Sequence, residues 1–329
     1  MALTSVELCA GAGGQALGLE MAGIEHACLM EIDRDACATL RINRPGWDVH
    51  EADLKKFDAR EWKGVGLVTG GLPCPPYSIA GKQLGPADDR DLFGHGMRVM
   101  AETRPSGAML ENVKGILEPR FEEVRQNIRA QLKKLGYVVD WRLMNASDFG
   151  VPQLRPRVVF VALPSRTAEF FAWPVPNPWS APTVGATLLD LMAADGWEGA
   201  QDWAELANDI APTLVGGSKR HGGPDLGPTR ARKAWATFGV NGKSLAAAAP
   251  EPGFAGMPRL TVRMAARLQG FPDTWAITGR KTTAYRQVAN AFPPPVACAV
   301  ARQVRIAIEA AAAASLPRRR MRQKVSALA

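Results

Sequence analysis

The chain has no CxxC pair and only four histidines among 329 residues. Its five cysteines, Cys9, Cys28, Cys37, Cys74 and Cys298, form an odd, scattered set. This pattern argues against a zinc site and against a disulfide framework, so no metal is expected and a reducing compartment fits. No apolar run reaches the length of a membrane span. Glu7 interrupts the first apolar stretch too early for a secretory leader, and a soluble, cytoplasmic protein is expected. Acidic residues are also in deficit: 32 Asp and Glu stand against 40 Lys and Arg, giving a net charge of +8. That balance favours a polyanionic partner without proving one. Apolar residues make up 47% of the chain, enough for a substantial core. The length suits a large α/β domain with a smaller companion.

The first half alternates strand and helix patterns. SVELC reads as a buried strand, GQALGLEMAG as a helix, HACLMEID as a strand and DRDACATLRIN as a helix. GLVTG and GAMLE follow as strands, the second after a helical MRVMAET. Such alternation implies a parallel sheet with helices on both faces, in which ligands collect at the carboxyl ends of the strands. Residues 9–14, Glu31, Asp53, Cys74 and Glu111 all fall at those ends. After Leu163 proline density rises and periodicity weakens, which reads as a separate, loop-rich domain. From Tyr285 the chain becomes helical again, after its prolines. The final LPRRRMRQKVSALA reads as a basic tail.

Two motifs carry chemistry. In GGLPCPPYSIAGKQ, Cys74 stands between Pro73 and the pair Pro75–Pro76, which forbid helix directly after it. The thiol is thereby presented on a stiff turn after a strand, as a nucleophile is, although a lone cysteine in apolar company is commonly inert. In AGAGGQALG, glycines after a strand allow close backbone approach and leave helix-terminal amides for a ligand. Gly11, Gly13 and Ala16 also satisfy a loose dinucleotide fingerprint, with Glu31 near the place of its ribose-binding acid. On this motif alone a nicotinamide dehydrogenase and a methyltransferase stand level. The dehydrogenase lacks an acid–base histidine near the loop, since His26 and His50 lie in apolar or strand-edge contexts.

Taken in order, ELCAGAGG, the Cys74 segment, ENV at 111–113, QLRPR at 153–157 and RLQGFPD at 267–273 resemble the prokaryotic, single-chain cytosine-5 DNA methyltransferases. The resemblance covers about 4–163 and 257–305. It implies a Rossmann-like, S-adenosylmethionine-dependent α/β catalytic domain with a smaller, loop-rich target-recognition domain. The expected division is 1–163 plus 282–316 for the catalytic domain, 164–281 for recognition and 317–329 for the tail. The last catalytic segment is expected to complete the cofactor pocket.

The resemblance assigns catalysis to Cys74, Glu111, Arg155 and Arg157, with Arg155 steadying Glu111 or the nearby backbone. It places S-adenosylmethionine, which leaves as S-adenosylhomocysteine, on Cys9, Gly11, Gly13, Gly14, Glu31, Ile32, Asp53, Leu54, Gly70, Pro73 and Asn290. Glu31 and Asp53 are expected to hold ribose and adenine, and Ile32 and Leu54 to sandwich the adenine ring. Duplex DNA is the expected partner, contacted by Ser78, Lys82, Gln83 and Arg90 on a mobile loop and by Lys219, Arg220, Arg230, Arg232 and Lys233 in a glycine-interspersed basic segment. A restriction-modification system with a cognate endonuclease, or an orphan methylase, and monomeric action fit the resemblance. An RNA methyltransferase of the same fold and a catalytically silent DNA binder are the alternatives. The chain departs from the family pattern at Cys9, usually Phe, at Ala289, usually Gly, and at Met264, usually Glu. Met264 is expected to be a packing change with little effect on turnover. Arg259, Thr261 and Gln269 are expected to organise the recognition region.

Overall fold

The computed structural model describes residues 3–72, 92–177, 179, 181–216 and 223–315. Its first half runs β1 (Thr4–Leu8), α1 (Gly14–Met21), β2 (Glu25–Glu31), α2 (Arg34–Asn43), β3 (Val49–Glu51) and β4 (Leu67–Gly71). It continues through α3 (Phe93–Thr103), β5 (Gly107–Val113), α4 (Glu122–Lys134), β6 (Tyr137–Asn145) and β7 (Pro156–Pro164). The strands form one sheet of order β3-β2-β1-β4-β5-β7-β6. Pairs among β1 to β5 are parallel, whereas β7 runs antiparallel to both β5 and β6. The parallel sheet read from the sequence covers β1 to β5, and β7, which the sequence pattern did not mark as a strand, adds an antiparallel strand beside β5. The connection 146–155 is too short for the crossover that a parallel β6–β7 pair would need, so the chain folds straight back.

Side-chain alternation along the strands feeds two apolar layers. Val68, Ala108, Leu110, Val158 and Phe160 face one, with Met97 and Met100 of α3 and Ile128 of α4. Leu67, Met109, Val159 and Val161 face the other, with Leu19 of α1 and the apolar stripe of the last helix, including Val300 and Val304. Helices and strands thus alternate in the chain because each strand must be covered on both faces.

Beyond β7 come α5 (Ser165–Ala168), α6 (Val184–Met192), α7 (Ala200–Leu206), α8 (Thr229–Ala236) and α9 (Val262–Leu268). The chain then returns through α10 (Lys281–Asn290) and α11 (Pro294–Ser315). Helix resumes at Lys281, before the prolines and ahead of the expected Tyr285, and Pro294 opens α11 at the helix position where its missing N–H is harmless. A further apolar cluster joins Leu188, Trp203, Trp235 and Leu260 to Leu17 of α1 and Tyr285 and Val288 of α10. α9 begins with Thr261, whose Oγ1 accepts from the Met264 amide while the Met264 sulfur accepts from the Thr261 amide. Met264 therefore occupies the reciprocal position of a capping box, where a carboxylate is the usual acceptor and a thioether a weak one.

Beneath α1 lies a polar group inside the sheet. Glu7 on β1 pairs in register with Thr69 on β4, and Gln15 on α1 donates to the Met109 carbonyl at 3.2 Å. Glu7 Oε2, Gln15 Oε1 and Thr69 Oγ1 are all buried without a hydrogen-bond partner among the described residues. Burial pushes the Glu7 carboxyl up to about 8, against a single favourable amide from Ala16. The native state therefore keeps this proton well above the pH at which the unfolded chain loses it. Stability from this group is complete below about pH 4.5 and declines as pH rises to about 8. Glu7→Gln, which cannot ionise, should flatten the fall in Tm between about pH 5 and pH 8 in scanning calorimetry; an unchanged slope would contradict a neutral Glu7.

Candidate active site

The carboxyl-end side of the parallel strands carries Glu111 on β5, Glu31 at the end of β2 and the glycine loop after β1. Glu111, within β5, is the register partner of Gly71 on β4 and of Val159 on β7. Arg157, two residues earlier on β7, reaches across so that its Nε lies 2.7 Å from Glu111 Oε1. Both side chains are nearly closed to solvent, at 14% and 12% exposure for Arg157 and Glu111. Burial raises the Glu111 carboxyl above its ordinary range, and the positive charges of Arg157 and Arg155 pull it partly back. Next to it, Asn112 turns to the opposite face of the strand and donates to the Leu72 carbonyl at 3.5 Å. This ties β5 to the last described residue before Pro73 and Cys74.

Arg155 is differently placed. It is fully buried, and its guanidinium donates to the carbonyls of Leu214 at 3.1 Å, Ala289 at 2.6 Å and Ala291 at 3.2 Å. Gln153, also buried, donates to the Leu268 carbonyl and to Gln269 Oε1, and its own Oε1 accepts from the Leu214 amide at 2.9 Å. Gln269 in turn donates to the Ala291 carbonyl. These three side chains knit the approach to β7, the base of the basic segment, the end of α9 and the α10–α11 junction. Gln153, the first residue of QLRPR, carries no role in the sequence pattern. Its signal was the polar residue two before Arg155, on the same side of an extended chain. The segment continues past Leu214 to Gly216, where a Cβ would lie 2.5 Å from Asn290 Oδ1.

At the glycine loop, Gly11 and Gly13 take left-handed φ values of 55° and 81°, and Cys9 does so too at 55°. Gly14 opens α1. Glu31, at the end of β2, accepts from the amides of Gly11, Ile32 and Asp33, each at 2.8 Å. Ile32 is 60% exposed beside it, an apolar face open at the mouth of the loop. Leu54 is 2% exposed and packs into the core with Phe57 and Val65. Arg98 of α3 donates to the Leu54 and Phe57 carbonyls at 2.8 and 2.7 Å. Asp53 is half-buried, with Oδ1 accepting from the Lys55 amide at 3.0 Å. Gly70 sits on β4 beside Leu8 of β1.

Of the expected DNA contacts, Arg230 and Lys233 project to solvent from one side of α8, and Arg232 is half-buried with Nη2 donating to Thr229 Oγ1 at 3.3 Å. Cys74, Pro73, Ser78, Lys82, Gln83, Arg90, Lys219, Arg220 and the tail lie outside the described residues. Arg259 donates to Ser244 Oγ at 3.0 Å within the recognition region.

A seven-stranded sheet with one reversed strand, a glycine loop after β1 and an acid after β2 define a Rossmann-like methyltransferase. The chain matches the C-5 cytosine-specific DNA methylase family across residues 3–305, and it belongs to that family. It is 55% identical to the Type II methyltransferase M.NaeI of Lentzea aerocolonigenes, over 93% of this chain and 75% of that protein. It is 51% identical to the Type II methyltransferase M.NgoMIV of Neisseria gonorrhoeae, over 92% of this chain and 97% of that protein. The crystal structure of a DNMT2 variant from Spodoptera frugiperda shares the fold at a TM-score of 0.63 and 15% identity, covering 93% of this chain and 99% of the other.

Removing the Arg155 guanidinium strands three buried carbonyls. Arg155→Ala should lower unfolding free energy by more than about 3 kcal/mol in urea titrations, and Arg155→Lys should recover little of it because an ammonium cannot span the same acceptors. Near-native stability of the lysine variant would contradict this geometry.

Proposed function

We propose that this methyltransferase moves a methyl group from S-adenosylmethionine to carbon 5 of a cytosine flipped out of a short duplex DNA site. The observation that carries the reading is the buried Glu111–Arg157 pair, in register with the strand end that leads to Cys74. The glycine loop, the Glu31 carboxylate and the open face of Ile32 suit an adenosine-bearing ligand, and Asp53 and Asn290 border the same region. Bound there, S-adenosylmethionine supplies an electrophilic methyl on a sulfonium sulfur.

Cytosine carbon 5 is a weak nucleophile. The Cys74 thiolate adds to carbon 6, breaking the 5,6 double bond and sending its electron pair toward ring nitrogen 3. Glu111, whose carboxyl burial shifts toward the protonated form, donates to that nitrogen, while Arg157 fixes the carboxyl and faces the ring carbonyl. Carbon 5 of the resulting enamine takes the methyl, and S-adenosylhomocysteine leaves. Loss of the carbon 5 proton to water or hydroxide then restores the 5,6 double bond and expels the Cys74 thiolate, and the proton on ring nitrogen 3 returns to Glu111. Arg155 acts as a positioning residue beneath this site. Flipping the base costs a few kcal/mol, offset by contacts from the loop that carries Ser78, Lys82, Gln83 and Arg90 and from Lys219, Arg220, Arg230, Arg232 and Lys233. Residues 1–163 and 282–316 form the catalytic unit in this reading, 164–281 the recognition unit and 317–329 a basic tail. The enzyme works as a cytoplasmic monomer, beside an endonuclease that reads the same site, in keeping with the Type II names of its relatives.

Conversion sequencing of plasmid from a methylation-free host expressing the chain tests the reaction directly. Protected cytosines in one short motif, absent with Cys74→Ala, are expected. A soluble, intact protein that protects none would move the reading to RNA or to a silent binder. Glu111→Gln should lower kcat by about 10²- to 10⁴-fold with duplex affinity retained. Because the raised carboxyl must hold its proton to donate, wild-type kcat should fall as pH rises past the Glu111 pKa. The glutamine variant should lose that limb, and a limb that persists would assign it to another group.

A further inference from the structure

The loop 9–13 carries three left-handed residues, one of them the non-glycine Cys9. Such a conformation persists only where the surroundings over-determine it. Three of its ties are local to the loop and β2: Ala10 N to Met30 O at 3.0 Å, Gly13 N to Ala10 O at 3.0 Å and Gly11 N to Glu31 at 2.8 Å. Another comes from far along the chain. The Trp275 indole Nε1 donates to the Ala12 carbonyl at 3.0 Å, across 263 positions of sequence. Both residues are 1% exposed, so no water replaces the indole if it is lost.

The ring is also a wedge. A Cβ on Gly13 would fall 2.9 Å from Trp275 Cζ2 and 2.7 Å from Leu40 Cδ2, so ring and loop are in intimate contact. Phe271 stacks beside the ring at 6.1 Å, and the Arg44 guanidinium, held by Glu20, lies 5.2 Å above it. The residues after Trp275 are fastened to α2. Ala276 and Asn43 exchange two hydrogen bonds at 2.7 and 2.8 Å, and Thr278 bonds Thr39 at 3.0 Å and the Asp35 carbonyl at 2.7 Å. Since α2 starts directly after Glu31 and Asp33, the Trp275 segment braces both walls of the expected cofactor pocket.

We propose that Trp275 is a positioning residue for the cofactor, holding the glycine loop in its ligand-accepting shape from the segment that follows α9. This inference rests on the cofactor reading above. Its test uses binding, with S-adenosylhomocysteine as the probe, titrated calorimetrically into the full chain. Trp275→Phe keeps the ring and removes only the donor. Trp235→Phe is the control, because Trp235 is equally buried in the apolar cluster and its Nε1 has no partner among the described residues. Trp275→Phe should weaken S-adenosylhomocysteine on the order of tenfold, the scale of one lost hydrogen bond to a buried carbonyl. Its Tm should stay within a few degrees of wild type, its duplex affinity should be unchanged, and Trp235→Phe should bind as wild type does. Equal affinity of Trp275→Phe and wild type would overturn the proposal, as would equal weakening in both variants. Absence of binding by the wild-type chain would instead overturn the cofactor reading, and this proposal with it.

Discussion

A buried guanidinium without solvent must find acceptors, and the way Arg155 finds them organises the whole protein. Its bonds to Leu214, Ala289 and Ala291, with Gln153 and Gln269 closing the remaining links, join four stretches of chain that are remote in sequence. Burying such a charge is costly, and the cost is recovered only if the acceptors stay where they are. The requirement makes the junction rigid. The base of the basic segment, the α10–α11 turn beside Asn290 and the start of β7 are thereby held in one relation.

Upon that junction stands a second buried charge pair with a different purpose. Glu111 and Arg157 face each other at 2.7 Å between β5 and β7. Burial and the arginine act on the carboxyl in opposite senses, and desolvation is the larger influence. A carboxyl held near the balance of these forces suits proton donation, whereas a fully paired surface carboxylate would only accept. The reversed β7 matters here. Running antiparallel, it starts at the carboxyl ends of β4 and β5, so Arg157 enters the site from the first turn of its strand.

Much of this was legible in the residues. The alternation of apolar runs predicted β1, β2, β4 and β5 with α1, α2 and α3, and the placement of Glu31 at the end of β2 followed from it, whereas Glu111 lies within β5 and Asp53 two residues past the short β3. The glycine loop announced its left-handed turns. Other features were not legible. The burial of Leu54, with its carbonyl held by Arg98, 44 positions away, could not be read from the strand pattern. Met264 read as a packing change, yet its sulfur closes a helix cap, an arrangement visible only once Thr261 is known to be the N-cap. Trp275 lay in an unremarked stretch after RLQGFPD.

The sequence by itself determined four of the parallel strands, where the glycine turns fall and that Glu31 sits at a strand end. Those properties depend on local periodicity and backbone sterics, which a short window contains. Tertiary structure alone decided the reversal of β7, the partners of Gln153 and Arg155, the raised Glu7 carboxyl and the indole beneath the glycine loop. Each of these depends on desolvation or on a hydrogen bond between groups many residues apart. Only the packed chain sets how much water remains around a group and which acceptor lies within 3 Å.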